Sequence, residues 1–337
     1  QINNSDMCGS CHNILLPTFD NDGKKHPHKA PDGQVVYATY EQTTHLEWVN
    51  SDFSKKDTFE SCQDCHMPTD FKVGDTHNEL KGMKIANIES SDFAPTTHRL
   101  PDDDITLTPR ETFARHSLHG LNVFLNEMFQ QFPVLLGLRQ MDYMVNNNVQ
   151  PALITGRDSM IEMATNQTAK VHIKDMTWKD STINLAVEIE NLTGHFLPSG
   201  VGFRRVFIET IAHGKNGEKL WASGRTNDLG VILEGTTDNP LATEQGGAGQ
   251  SQYQPHYQAI NQQDQVQIYQ EIIQDSAGHN TTSFLRRATD KKDNRIRGKG
   301  FDKQFYLDSK SPYIQMLGVL IGETAKDPDY TDKNKTG

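Results

Sequence analysis

The sequence predicts an α+β protein: a loop-rich, helical region over residues 1–168, followed by an antiparallel β-sandwich over residues 169–337 that ends in a polar tail. Three observations carry that prediction. An apolar stripe of helical period runs through residues 114–132. From Ala169 onward the pattern changes to short β-branched or alternating segments divided by Gly, Asn and Asp turns. All four cysteines fall in two copies of one pentad, Cys8-Gly-Ser-Cys11-His12 and Cys62-Gln-Asp-Cys65-His66.

Taken in order, PTFDNDGKKHPHKAPDG (17–33) has turn chemistry and little periodicity. Its Asp20-Asn-Asp-Gly23 faintly echoes a calcium loop but lacks the rest of that pattern and reads as a turn. EQTTHLEWVN (41–50) reads as one short helix. Asp57-Thr-Phe-Glu60 reads as a capping box that opens the helix carrying Cys62 and Cys65. A longer helix is expected from Thr108, with Pro109 in the first helical position and Glu111 completing a second box. Its stripe is Ala114, Leu118, Leu121, Leu125, Met128 and Phe132. His116 and His119 then fall on the opposite face beside Gly120 and Val123, where a flat group has room to approach. PVLLGLRQMDYMV (133–145) and SMIEMATNQ (159–167) continue helically. AKVHIKD, TINLAVEIEN, RVFIETIAH, EKLWAS, QPHYQAI, QVQIYQEII and TTSFLRR supply the strands, and the final KDPDYTDKNKTG reads as a frayed or cut end.

The chain has 44 acidic against 33 basic residues, a formal net charge of -11, which excludes nucleic acid as a partner. No stretch approaches the ~18 apolar residues of a membrane span; the longest apolar run, Phe132 to Leu138, is broken by proline and glycine. The hydrophobic fraction is only 35%, so part of the interior is expected to be filled by something other than protein. The chain starts at Gln1 without methionine and shows no signal peptide, as expected of a processed product.

The pentads admit three chemistries. Two disulfides suit an exported chain. Zinc held by four cysteines usually has ~15–20 residues between its CxxC halves, whereas 50 residues separate Cys11 from Cys62. Neither uses the histidine that closes both pentads. Covalent haem attachment uses all three residues: Cys8, Cys11, Cys62 and Cys65 as thioethers, His12 and His66 as proximal iron ligands. Two haem c groups are therefore expected, attached on the outer side of the bacterial cytoplasmic membrane. The second axial position of each iron decides between electron transfer and small-molecule chemistry. The 12 further histidines favour bis-histidine ligation over any of the ten methionines. His116 and His119 are candidates from the helical pattern, His195 from its Gly/Pro-framed loop NLTGHFLPSG, and His45 from its helix between the pentads. His26 and His28, in the polar loop, are expected to face solvent.

Several segments resemble multihaem c-type cytochromes of exported bacterial respiratory systems: CGSCH, EQTTHLEWVNSDF, CQDCHMP, RHSLHGLNVFLNEMF, TGHFLPSG with FRRVFIE, and YQPHYQAINQQDQVQIYQE. The resemblance covers most of residues 5–300, in the family's order. It implies a haem-binding helical part before a β-sandwich, often within a longer chain bearing more CxxCH motifs, and it marks His116 and His195 as candidate axial ligands. The family's EQTT segment usually continues with tyrosine where this chain has His45, and the position of His119 is usually apolar. Both histidines are thus candidates for ligands added in this chain.

The expected function is electron transfer in the periplasm or at the cell surface, with a redox partner that offers a basic docking surface or is itself a multihaem cytochrome. The alternative is a haem enzyme, a peroxidase or a reductase of small nitrogen or sulfur species. That reading needs one five-coordinate iron, with Arg99, Arg115 or Arg204 as distal donors. A third reading makes the β-domain a structural or adhesive module.

Overall fold

The computed structural model describes residues 4–73, 76–79, 81–83, 110–112, 114, 118, 120–138, 152–246 and 250–335. The chain is mixed α+β, with helices and antiparallel sheets and, among the described residues, no closed barrel. It divides into two compact units: residues 1–59 with 166–337, and residues 60–165.

The first unit starts with α1 (Ser5–Gly9), β1 (Ile14–Pro17), β2 (His28–Lys29), β3 (Val35–Val36), β4 (Ala38–Gln42) and α2 (Thr44–Val49). β1 pairs antiparallel with β4, and β2 with β3. The turn-rich loop between β1 and β2 is therefore folded back, and His28 is half-buried rather than solvated, its Nε2 2.9 Å from the Thr18 hydroxyl.

The second unit contains α3 (Cys62–His66), β5 (Asp70–Val73), β6 (Thr76–Glu79), β7 (Lys81–Met83), β8 (Arg110–Thr112), α4 (Val123–Gln131) and α5 (Ala152–Met163). Here three sequence expectations fail. PVLLGLRQMDYMV does not continue helically: 133–137, which opens on Pro133, is a turn, and 139–145 lie outside the described residues. The helix expected from Thr108 starts only at Val123. Arg110–Thr112 is instead a strand paired with Lys81–Met83, Leu118 has φ +52° and Gly120 is irregular. Asn122, Gly120 and the β-branched Thr112 are poor helix formers, and a strand partner far away in sequence outweighed the local stripe. The argument that put His116 and His119 on one helical face therefore lapses; both side chains lie outside the described residues. The cap of α3 is also not Asp57 but Ser61, four residues on.

The chain returns to the first unit after a π-helical turn (Ala164–Thr168). β9 (Ala169–Lys179) and β10 (Thr182–Asn191) form a long hairpin, followed by β11 (Arg205–Phe207) and the hairpin of β12 (Thr210–His213) and β13 (Lys219–Ser223). β14 (Ile268–Gln274) pairs with β11, with β15 (Asn280–Thr281) and with β16 (Thr289–Asp293), making a four-stranded antiparallel sheet. QPHYQAI is no strand, and TTSFLRR is one only at Thr281, with Phe284–Arg286 forming a helical turn. Pro255 lacks a ladder donor, and the flanking Gln254 and His256 side chains are tied to Asp264 and Asp327 instead. Short helices α6 (Lys303–Leu307), α7 (Pro312–Leu317) and α8 (Pro328–Thr331) close the chain. The polar end is docked rather than frayed: Tyr330 is buried and its hydroxyl donates to the Asn294 carbonyl at 2.6 Å.

Two apolar clusters hold this unit. One joins Ile232, Leu241, Val266 and Ile268 to Phe207. The other joins Phe196, Phe301 and Tyr306 to Leu46, Ile314 and Leu317. Leu46 follows His45 and Phe196 follows His195, so this second cluster positions both candidate ligands.

Candidate functional site

The first pentad is wound as a helical turn. The Asn4 side chain caps α1 by accepting from the Asp6 amide at 2.9 Å, and the His12 amide donates to the Cys8 carbonyl at 2.9 Å. Residues at i, i+3 and i+4 of such a turn share one face, so Cys8, Cys11 and His12 present their side chains together. The Gln42 side-chain amide lies 3.1 Å from His12 Nδ1. A half-turn of that amide presents its oxygen to an Nδ1–H, the arrangement that orients an imidazole for metal binding through Nε2.

His45 is packed against this turn. Its backbone amide donates to the His12 carbonyl at 3.3 Å, and its Nδ1 is 3.1 Å from the Asn13 side-chain amide. A Cβ added to Gly9 would lie 2.6 Å from His45 Nδ1 and 2.7 Å from its Cγ, so the glycine inside the pentad is what admits the ring. His45 also stacks on Trp48, centroids 5.7 Å apart. Its Nε2 is buried and lacks a hydrogen-bond partner, with Asp6 Oδ1 at 3.4 Å.

The NLTGHFLPSG loop reaches the same helix. A Cβ on Gly194 would be 2.9 Å from Trp48 Cδ1 and 3.2 Å from Phe53, so the loop lies directly on α2 and the turn after it. Inside the loop the buried Asn191 accepts from the Thr193 amide at 2.9 Å and donates to the His195 carbonyl at 2.8 Å. His195 Nδ1 is 3.0 Å from the Phe196 carbonyl and 3.2 Å from the Thr193 hydroxyl. A carbonyl partner requires the proton on Nδ1, which puts the ring's lone pair on Nε2.

Sequence reading missed the group that holds these pieces together. Glu47, 1% exposed at its side chain, accepts from Ser199 Oγ at 2.6 Å, Thr43 Oγ1 at 2.7 Å, the Phe196 amide at 3.1 Å and Arg295 Nη1 at 3.2 Å. Arg295 in turn makes two 2.9 Å bonds to Asp293, which also meets Arg297 at 3.2 Å. Burial alone would raise the Asp293 carboxyl, but the two guanidiniums outweigh it and hold the group well below the usual carboxylate range. Arg297 lies over the Phe196 ring at 4.2 Å. The available signal was Asp293, Arg295 and Arg297 at alternate positions, one face of an extended segment.

The second pentad is α3 itself. Ser61 and Asp64 form a reciprocal capping box: the Asp64 amide donates to Ser61 Oγ at 3.2 Å and the Ser61 amide to Asp64 Oδ2 at 2.7 Å. Cys65 Sγ lies 3.7 Å from Glu60 Oε2. Desolvation of the sulfur by its surroundings, then the Glu60 carboxylate, push this thiol up to about 11. Leu118, between His116 and His119 in sequence, donates its amide to the His66 carbonyl at 2.9 Å.

The structure thus brings His12, His45 and the His195 loop into one neighbourhood. Of the three arginines considered as donors, Arg204 alone is described; it is half-buried, with Nη1 3.3 Å from the Ser199 carbonyl. Among the described residues no three His, Cys, Asp or Glu side chains cluster as a ready-made metal site. No protein-family model matches the chain, and no curated protein matches it. Among solved structures it is similar to a penta-heme cytochrome c552 from Thermochromatium tepidum, with 14% sequence identity and a TM-score of 0.35. The match covers 82% of this chain and 40% of that one, too remote a likeness to bear on function.

Proposed function

We propose that the chain is an electron-transfer protein carrying two covalently attached c-type haems. The observation that carries this reading is that both CxxCH pentads are wound as helical turns with their cysteines and histidine on one face. The residues of the first unit fit the group. His45 has a buried ring nitrogen that makes no hydrogen bond and faces the Asp6 carboxylate at 3.4 Å, and His195 is held by a backbone carbonyl in the tautomer that a metal ligand needs.

In this reading Cys8 and Cys11 hold one haem with His12 as proximal ligand, and Cys62 and Cys65 hold the other with His66. His195 is the first choice for the remaining axial position in the first unit and His45 the second. In the second unit the choice lies between His116 and His119. Bound haem would supply one-electron exchange, and ligation by two imidazoles would close the iron to substrate. The protein's part is to hold the rings: Gln42 orients His12, Asn191 and Thr193 shape the His195 loop, and Glu47 fastens that loop to α2. Arg204 and Gln42 both lie beside Gly200, and Arg204 is the cation that would pair with a propionate.

Covalent attachment at CxxCH favours the periplasm or the cell surface as the compartment. No helix among the described residues is long and apolar enough to cross a membrane. The charge of -11 favours a partner with a basic docking surface, or another multihaem cytochrome. Absorption and electron paramagnetic resonance spectra of the oxidised protein test the reading. Two low-spin haems are expected, with His195→Ala turning one of them high-spin; a high-spin haem in the unaltered protein would overturn the relay in favour of an enzyme.

A further inference from the structure

The hairpin of β9 and β10 has one face lined by four successive apolar cross-strand pairs: Val171 with Ile189, Ile173 with Val187, Met176 with Leu185, and Trp178 with Ile183. A bulge makes this possible. Lys174 is the extra residue of β9, so the alternation slips by one between Ile173 and Met176 and keeps all four β9 residues on the same side. The turn suits a long hairpin, since Asp180 and Ser181 both have positive φ, 49° and 63°, as a two-residue primed turn requires. The opposite face is polar and internally paired, Lys174 to Glu188 at 2.8 Å and His172 to Glu190 at 3.3 Å.

The apolar face is open. Trp178 is 74% exposed, Met176 69%, Val171 67%, Ile173 66% and Ile183 50%. An isolated two-stranded ribbon with such a face is marginal in water and normally packs on another layer. We infer that this face is the interface between two copies of the chain, packed sheet on sheet about a two-fold axis.

Three features favour a second copy. The face bears no charge, so two chains of net charge -11 meet where they do not repel. By their fractional exposures the open side chains amount to on the order of 750 Å² per copy, so pairing removes up to about 1,500 Å², within the range of a standard stable interface. The bulge and the charges around Lys174 discourage the competing edge-to-edge pairing. The inference does not depend on the haem reading, because it rests on the hairpin alone.

Sedimentation equilibrium of the complete chain tests it. At ~10 μM the unaltered protein is expected at twice the mass of one chain, and to stay so at ~1 M salt because the contact is apolar. Trp178→Lys and Ile173→Lys, both at exposed positions, are each expected to weaken dimerisation at least ~30-fold while the circular dichroism spectrum is unchanged. Lys170→Glu, on the polar face, is expected to leave it intact. An unaltered protein that sediments as one chain at ~100 μM overturns the inference, and so does a Trp178→Lys variant that dimerises as before. Flotation of a single-chain species with neutral phosphatidylcholine vesicles also overturns it and assigns the face to lipid.

Discussion

Glu47→Ala perturbs the fastening of the His195 loop to α2. The carboxylate is buried and receives four hydrogen bonds, from Ser199, Thr43, the Phe196 amide and Arg295. Breaking a buried ion pair costs about 3–5 kcal/mol. Arg295 keeps its two bonds to Asp293, which puts that part near the lower end, about 3 kcal/mol. The buried Phe196 amide left without an acceptor adds about 1 kcal/mol. The sum is about 4 kcal/mol, or a fall in Tm of about 6 °C for a chain of 337 residues. Glu47→Gln keeps the shape and one acceptor oxygen and is expected to lose about half as much. The assay is thermal unfolding followed by circular dichroism, with the spin state of each haem as a second readout. Loosening should reach the His195 loop first, so one low-spin signal should weaken before the other. An unchanged Tm in Glu47→Ala would refute the reasoning.

Other consequences follow from single contacts. Burial, then the neighbouring His26, push the His28 pKa down to about 4 from 6.5, so between those values the unfolded chain binds a proton that the folded one refuses. Stability should therefore fall as pH drops from 6.5 to 4, by ~1–2 kcal/mol after discounting a half-buried ring for solvent screening, and His28→Gln should flatten that slope in denaturant titrations. Gln42→Leu removes the partner of His12 Nδ1. It should raise the reduction potential of one haem by ~60–120 mV, the equivalent of a 10–100-fold change, and leave the other in place by spectroelectrochemistry. Gly9→Ala places a methyl 2.6 Å from the His45 ring; it should cost ~1–3 kcal/mol in chemical denaturation and alter the resonance of the first haem alone.

What the sequence made legible was local. The pentads, the short helix at His45, α5 and the β9–β10 hairpin follow from spacing and period, which need only near neighbours. What it hid was set by distant partners. Arg110–Thr112 became a strand because Lys81–Met83 pairs with it, against its own capping signals. QPHYQAI alternates like a strand, yet His256 is drawn to Asp327, 71 residues on. Glu47 looks in sequence like one more charged residue on a short helix. Its role comes from Ser199, Phe196 and Arg295, 149 to 248 residues away, and no periodicity reports such contacts. At α3 two adjacent segments, Asp57–Glu60 and Ser61–Asp64, fit the same capping motif, and only the second lies against the helix that starts at Cys62.

The most direct test of covalent haem at both pentads is the intact mass of the denatured protein, produced in a host that attaches c-type haem. The expected result is the polypeptide plus two porphyrins, with Cys8→Ala/Cys11→Ala and Cys62→Ala/Cys65→Ala each losing one. The mass of the bare polypeptide would contradict the account.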